Sequence, residues 1–126
     1  MELSNQLIRA AKHLAPAVRA GTAVVYFLRL KSGMIYIGCS VDLEQRLRDH
    51  QSGQACRTTA LDPPTALLRV EVCPTFSDAR RREAQLKRWS RPKKEAHIRG
   101  DFDRLRKLSR SRDQRIGGAP GVSAKC

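Results

Sequence analysis

Two tyrosines, Tyr26 and Tyr36, stand ten residues apart in segments rich in β-branched and aromatic residues, TAVVYFLRL and MIYIG. On the two arms of one hairpin they can lie near each other across a sheet, each offering a phenolic hydroxyl. Further on, Arg46 and His50 stand at i and i+4, neighbours on one helix face. A guanidinium there can grip a phosphate, and an imidazole beside it can move a proton or hold a phosphate oxygen. A third element carries Glu83 between Ala79 and Leu86 at helical spacing. A carboxylate on that inward side needs a partner, either a basic side chain or a metal ion. Taken singly, strand tyrosines pack, helix charges are solvated and inward carboxylates form ion pairs. Together they are the parts of phosphodiester hydrolysis: a cation to offset developing charge, a carboxylate for a hard metal and a group to deprotonate water.

The surrounding pattern predicts the elements that must hold these groups. Leu3, Leu7, Ala11, Leu14 and Val18 form a helical stripe that Pro16 kinks or ends. It marks residues 1–20 as a helical appendage, packed on the domain or on a second copy in a homodimer. The runs 22–30 and 34–38, separated by Lys31-Ser32-Gly33, form the hairpin. Ser40 and Asp42 are caps for a helix through LEQRLRDH, which Gly53 ends. Residues 51–66, with Gly53, Pro63 and Pro64, form a loop, and Leu68, Val70 and Val72 alternate as one face of a strand that Pro74 closes. Ser77 caps a helix through about Trp89, a second basic helix follows Pro92, and one more spans about 101–112. The small residues of 116–126 predict a disordered tail.

Strand, strand, helix, strand, helix is an α+β order, and 126 residues suffice for one core. The net charge is +13, of which the stretch Arg80–Arg115, with 15 basic and 5 acidic residues, carries +10. A field of that sign points to a polyanion, and nucleic acid is the expected partner, with Lys87, Arg88, Arg91, Lys93 and Lys94 as phosphate contacts. The four cysteines lack CxxC or Cys/His clustering, which argues against a structural zinc. Arg9 and Lys12 interrupt any signal-peptide core, and no apolar run is long enough to cross a membrane, so the cytoplasm with reduced thiols is expected.

At the hairpin the chain resembles the GIY-YIG nuclease family, with Val24-Val25-Tyr26 standing for the first triplet and Tyr36-Ile37-Gly38 for the second. Arg46 falls at the family's arginine on the following helix, His50 at the histidine one turn later, and Glu83 at the metal-binding glutamate of a later helix. The resemblance covers residues 22–99 and is nearest to the small single-domain bacterial YhbQ-like group. It implies an α/β sandwich around a three-stranded, mostly antiparallel sheet flanked by helices, with a nuclease domain over 21–99 and a basic C-terminal helix over 100–115. It further implies a divalent-metal-dependent DNA endonuclease of repair, recombination or mobile-element processing, with Mg²⁺ or Mn²⁺ held mainly by Glu83. Tyr36 or His50 would then deprotonate water, Tyr26 orient it and Arg46 stabilise the phosphate. Two departures stand out: Val24 replaces the glycine of the first triplet, and Arg91-Pro92-Lys93-Lys94-Glu95 lacks the asparagine that several catalytic members carry. These favour, as the alternative, a nucleic-acid-binding module with a vestigial nuclease site.

Overall fold

A computed structural model describes residues 2–114, with side chains described over 6–109. The tail expected at 116–126 lies outside the described residues. Strand β1 (Val24–Leu30) pairs antiparallel with β2 (Ile35–Ser40) and with β3 (Pro64–Val72), giving the order β2-β1-β3. The fold is thus the expected α+β class. Being central, β1 is covered on both faces, which explains its nearly continuous apolar run VVYFLRL. Its side chains divide by parity. Val24, Tyr26, Leu28 and Leu30 enter one core with Leu7, Ala11, Leu43, Leu47 and Leu67. Val25 and Phe27 enter a second with Ile37, Ala79 and Leu86.

Helices α1 (Glu2–Leu14) and α2 (Leu43–Ser52) cover the first face, and α4 (Phe76–Lys87) covers the second. The N-terminal stripe is therefore turned onto its own sheet: Leu7 and Ala11 are buried, Val18 packs against them, and α1 ends before Pro16. Asp42 caps α2 by accepting from the Gln45 amide, and Gly53 closes it at a φ of 80°, where glycine carries no Cβ penalty.

Three expectations are corrected. The stretch 51–66 is not a plain loop: it holds a short helix α3 (Arg57–Leu61), and β3 already begins at Pro64. Pro64 is tolerated because it starts a strand that lies at the sheet edge. Leu68, Val70 and Val72 do not share one buried face. The register slips between Phe27 and Leu28, so Leu67 and Val70 pack in the first core, Leu68 packs in the second, and Val72 is exposed. Finally, Thr75 rather than Ser77 caps α4, accepting from the Asp78 amide. Helices α5 (Arg91–Arg99), capped by Ser90 with Pro92 in its first turn, and α6 (Phe102–Gln114) are the last described elements.

Candidate active site

The first core places three of the singled-out groups in direct contact. Tyr26 and Gly38 are cross-strand partners, and the Tyr26 ring lies over that glycine: a Cβ on Gly38 would stand 2.5 Å from the Tyr26 hydroxyl. The glycine of the second triplet is thus the space into which Tyr26 extends. His50, on the inner face of α2, meets the same hydroxyl with Nε2 at 2.7 Å. Tyr36 projects from β2 on the same face, its ring centroid 6.5 Å from that of Tyr26 and 5.2 Å from the His50 ring. Tyr26 and His50 are fully buried, whereas Tyr36 keeps 8% of its surface, so Tyr36 is the member nearest solvent.

Burial decides the protonation states here. It pushes His50 down to about 4, aided by the positive charge of Arg46, so the ring is neutral near pH 7. Burial likewise pushes the Tyr26 hydroxyl well above the usual phenol range, although the Arg46 guanidinium facing it acts in the opposite direction. Tyr26 is therefore a neutral donor. Arg46 stays cationic: burial weakens its charge, but Tyr26, Tyr36 and Asp49 outweigh that. Its Nε is buried without a hydrogen-bond partner. An unmade bond of that kind is expensive, and an arriving anion would satisfy it.

Glu83 approaches from the other face of the sheet. Its carboxylate accepts from the Cys39 thiol at 3.5 Å, one residue beyond Gly38, and lies 3.3 Å from the Lys87 ammonium. Its charge reaches Tyr26, whose hydroxyl it helps push up, and burial together with Glu83 pushes the Cys39 thiol up to about 11. The two halves of the site meet around the β2 edge at Gly38 and Cys39. Among the described residues no three His, Cys, Asp or Glu side chains gather as a metal cage. A single carboxylate at a partly open edge is nevertheless a donor set that suits Mg²⁺ or Mn²⁺, which take most of their ligands from water and phosphate.

The five candidate phosphate contacts separate. Arg88 and Arg91 are exposed, Arg91 also donating to the Gly33 carbonyl at 2.9 Å. Lys87 pairs with Glu83, and burial with Lys87 nearby lowers the half-buried Lys94. Lys93 is buried and sits 4.2 Å above the Trp89 ring, so it packs rather than projects. Trp89 is half-buried and packs against the second core. At the position of the absent asparagine, Glu95 is held by Arg29 at 3.0 Å.

Sequence reading missed Cys39, Cys56 and Thr59. Thr59, on α3, is buried and meets His50 Nδ1 at 2.8 Å, while Cys56 lies 3.6 Å from both Thr59 Oγ1 and the Tyr36 hydroxyl. A five-residue helix has too little length to show a period.

Residues 22–96 match the model of the GIY-YIG catalytic domain. Among curated proteins, a UPF0213 protein of Staphylococcus saprophyticus is 36% identical over 70 residues, covering 56% of this chain and 85% of its own length. A UPF0213 protein of Pseudomonas aeruginosa is 39% identical over 71 residues, 56% of this chain and 68% of its own. One from Halobacterium salinarum is 33% identical over 72, 57% of this chain and 94% of its own. No solved structure matches.

Proposed function

From the premise that this chain belongs to the GIY-YIG family, a nuclease family whose members act on nucleic acid, we propose that it is a divalent-metal-dependent endonuclease hydrolysing phosphodiester bonds in DNA. The observation that carries the reading is the convergence of Tyr26, Tyr36 and His50 on one face beside a half-buried Arg46 whose buried Nε lacks a partner. In this mechanism Arg46 binds the scissile phosphate and offsets the charge that develops on it. Tyr36, the most accessible of the three rings, takes the proton of the attacking water once its own phenol proton has passed to solvent. The Cys56 thiol donates to its oxygen, which favours the phenolate form. Tyr26 and His50 stand behind it and fix the geometry. Glu83 would hold Mg²⁺ or Mn²⁺, an ion that supplies Lewis acidity at the phosphate. Arg88 and Arg91 hold the flanking backbone, and the setting we assign is the cytoplasm, in DNA repair, recombination or mobile-element processing.

A second reading, a nucleic-acid-binding module with a vestigial site, draws on one observation: the Glu83 carboxylate is already engaged by Lys87 and Cys39. Cleavage of labelled linear, single-stranded and branched DNA with Mg²⁺ or Mn²⁺, beside Glu83→Ala, decides between them. Cleavage lost in the variant upholds the enzyme. Salt-sensitive binding by both proteins without cleavage under either metal upholds the module.

A further inference from the structure

The two site tyrosines are joined by an unbroken chain of hydrogen bonds through His50 and through two groups outside the family's motif positions, Thr59 and Cys56. It runs from the Tyr26 hydroxyl to His50 Nε2 at 2.7 Å, from His50 Nδ1 to Thr59 Oγ1 at 2.8 Å, then from Thr59 to Cys56 Sγ and from Cys56 Sγ to the Tyr36 hydroxyl, both at 3.6 Å. Each of Tyr26, neutral His50, Thr59 and Cys56 has a single proton to give. The Cys56 thiol donates to the Tyr36 oxygen, and that fixes the rest. With its proton spent, Cys56 can only accept from Thr59. Thr59, its proton spent in turn, can only accept from His50 Nδ1–H. Nε2 is then left as a lone pair, and Tyr26 donates to it.

The reverse order fails at the other end. It would aim Nε2–H at the Tyr26 oxygen, which the Arg46 guanidinium already faces. The proton of a fully buried Tyr26 would then have no acceptor among the described residues. Burying such a donor unpaired is costly.

We infer that Thr59 is a positioning residue of the proposed nuclease site: its hydroxyl selects the tautomer of His50 that accepts the Tyr26 proton, and so orients the Tyr26 oxygen toward Arg46. The ring nitrogen that bears the proton in a neutral histidine is set by the bond its other nitrogen makes. Thr59 sits on a five-residue helix with its side chain turned inward. The inference rests on the proposed function for its meaning, but its central claim concerns a proton position in the resting protein.

The experiment is ¹⁵N NMR of the imidazole nitrogens in the metal-free full chain near pH 7, with His50→Gln used to assign the His50 signals among the three histidines. In the parent protein, Nδ1 is expected to show the protonated-type shift and Nε2 the unprotonated type. Thr59→Val, which keeps shape and loses the hydroxyl, should give a mixture of tautomers, and Thr59→Ser should restore the parent pattern. In the cleavage assay, Thr59→Val should lower kcat by roughly tenfold or more with a smaller effect on KM, as general acid–base contributions allow, and Thr59→Ser should recover it. A proton on Nε2 of the parent, or a Thr59→Val protein that keeps the parent tautomer, overturns the inference. Should Thr59→Val fail to fold, a proton on Nε2 in the parent or in Thr59→Ser still overturns it. Should the parent cleave nothing, the proposed activity falls while the tautomer result stands.

Discussion

Gly38 shows how much of the site depends on one absent carbon. The Tyr26 hydroxyl occupies the space where a Cβ would be, 2.5 Å from it, and both partners lie on paired strands that cannot easily part. Gly38→Ala should therefore expel Tyr26 from His50 and cost about 1–3 kcal/mol, as overpacking does. Chemical denaturation should show that loss, and cleavage should fall with it; a variant of parental stability would mean that the ring moves aside freely. His50 makes a second claim at this scale. Its folded value, about 4, lies below the ordinary 6.5, so between these pH values the unfolded chain binds the proton and the folded chain does not. Stability is then fully present above pH 6.5 and declines as pH falls toward 4, by about 3 kcal/mol over that window if His50 acts alone. Urea melts at pH 7, 5.5 and 4.5 should show the decline, and His50→Gln, although less stable throughout, should show a flatter one. Equal slopes for both proteins would assign the acid sensitivity elsewhere.

Among the elements, α4 matters most because it carries Glu83 to the β2 edge. Its start lies two residues before the cap that the sequence predicts, since Ser77 and Thr75 are both good caps and the packing of the fold decides whose oxygen meets an amide. Thr75→Ala should cost about 1 kcal/mol, whereas Ser77→Ala should change stability by less than about 0.5 kcal/mol. Thermal melts of the two variants test this, and a larger loss from Ser77→Ala would return the cap to that residue. What could be read without coordinates follows from period and length. The hairpin, α2 with Arg46 and His50 on one face, and the helix of Glu83 all follow from repeating apolar positions and capping residues. The strand after the loop was legible too, but not its start at Pro64 nor its register, because the slip beside Leu68 breaks the alternation on which the reading relied. Helix α3 escaped for a related reason. Five residues carry no stripe, and the partners of Cys56 and Thr59 lie on other elements, in β2 and α2. Family order placed the tyrosines, arginine, histidine and glutamate; it held nothing about the thiols at Cys39 and Cys56 that now touch Glu83 and Tyr36.

Across the whole molecule, charge is the dominant property, and the fold determines how much of the +13 a polyanion can reach. Cations tied to carboxylates inside the protein contribute little to counterion release, because binding a phosphate would cost them an existing partner. Lys87 on Glu83 and Arg82 on Glu71 belong to that class, and Lys93 is buried against Trp89. Arg88 is exposed at the end of α4 and has no carboxylate partner among the described residues. These placements separate two basic residues five positions apart that composition treats alike. Arg88→Ala should weaken DNA binding uniformly across sequences and reduce the slope of log K against log salt by about one, with little change in thermal stability. Lys93→Ala should leave that slope unchanged and lower stability by about 0.5–2 kcal/mol through the lost cation–π contact. Fluorescence anisotropy titrations over a salt series, paired with melts of the same proteins, read both quantities. If Lys93→Ala flattened the salt slope as Arg88→Ala does, Lys93 would have to leave Trp89 on binding. The surface that meets nucleic acid would then extend across the start of α5 as well as the end of α4.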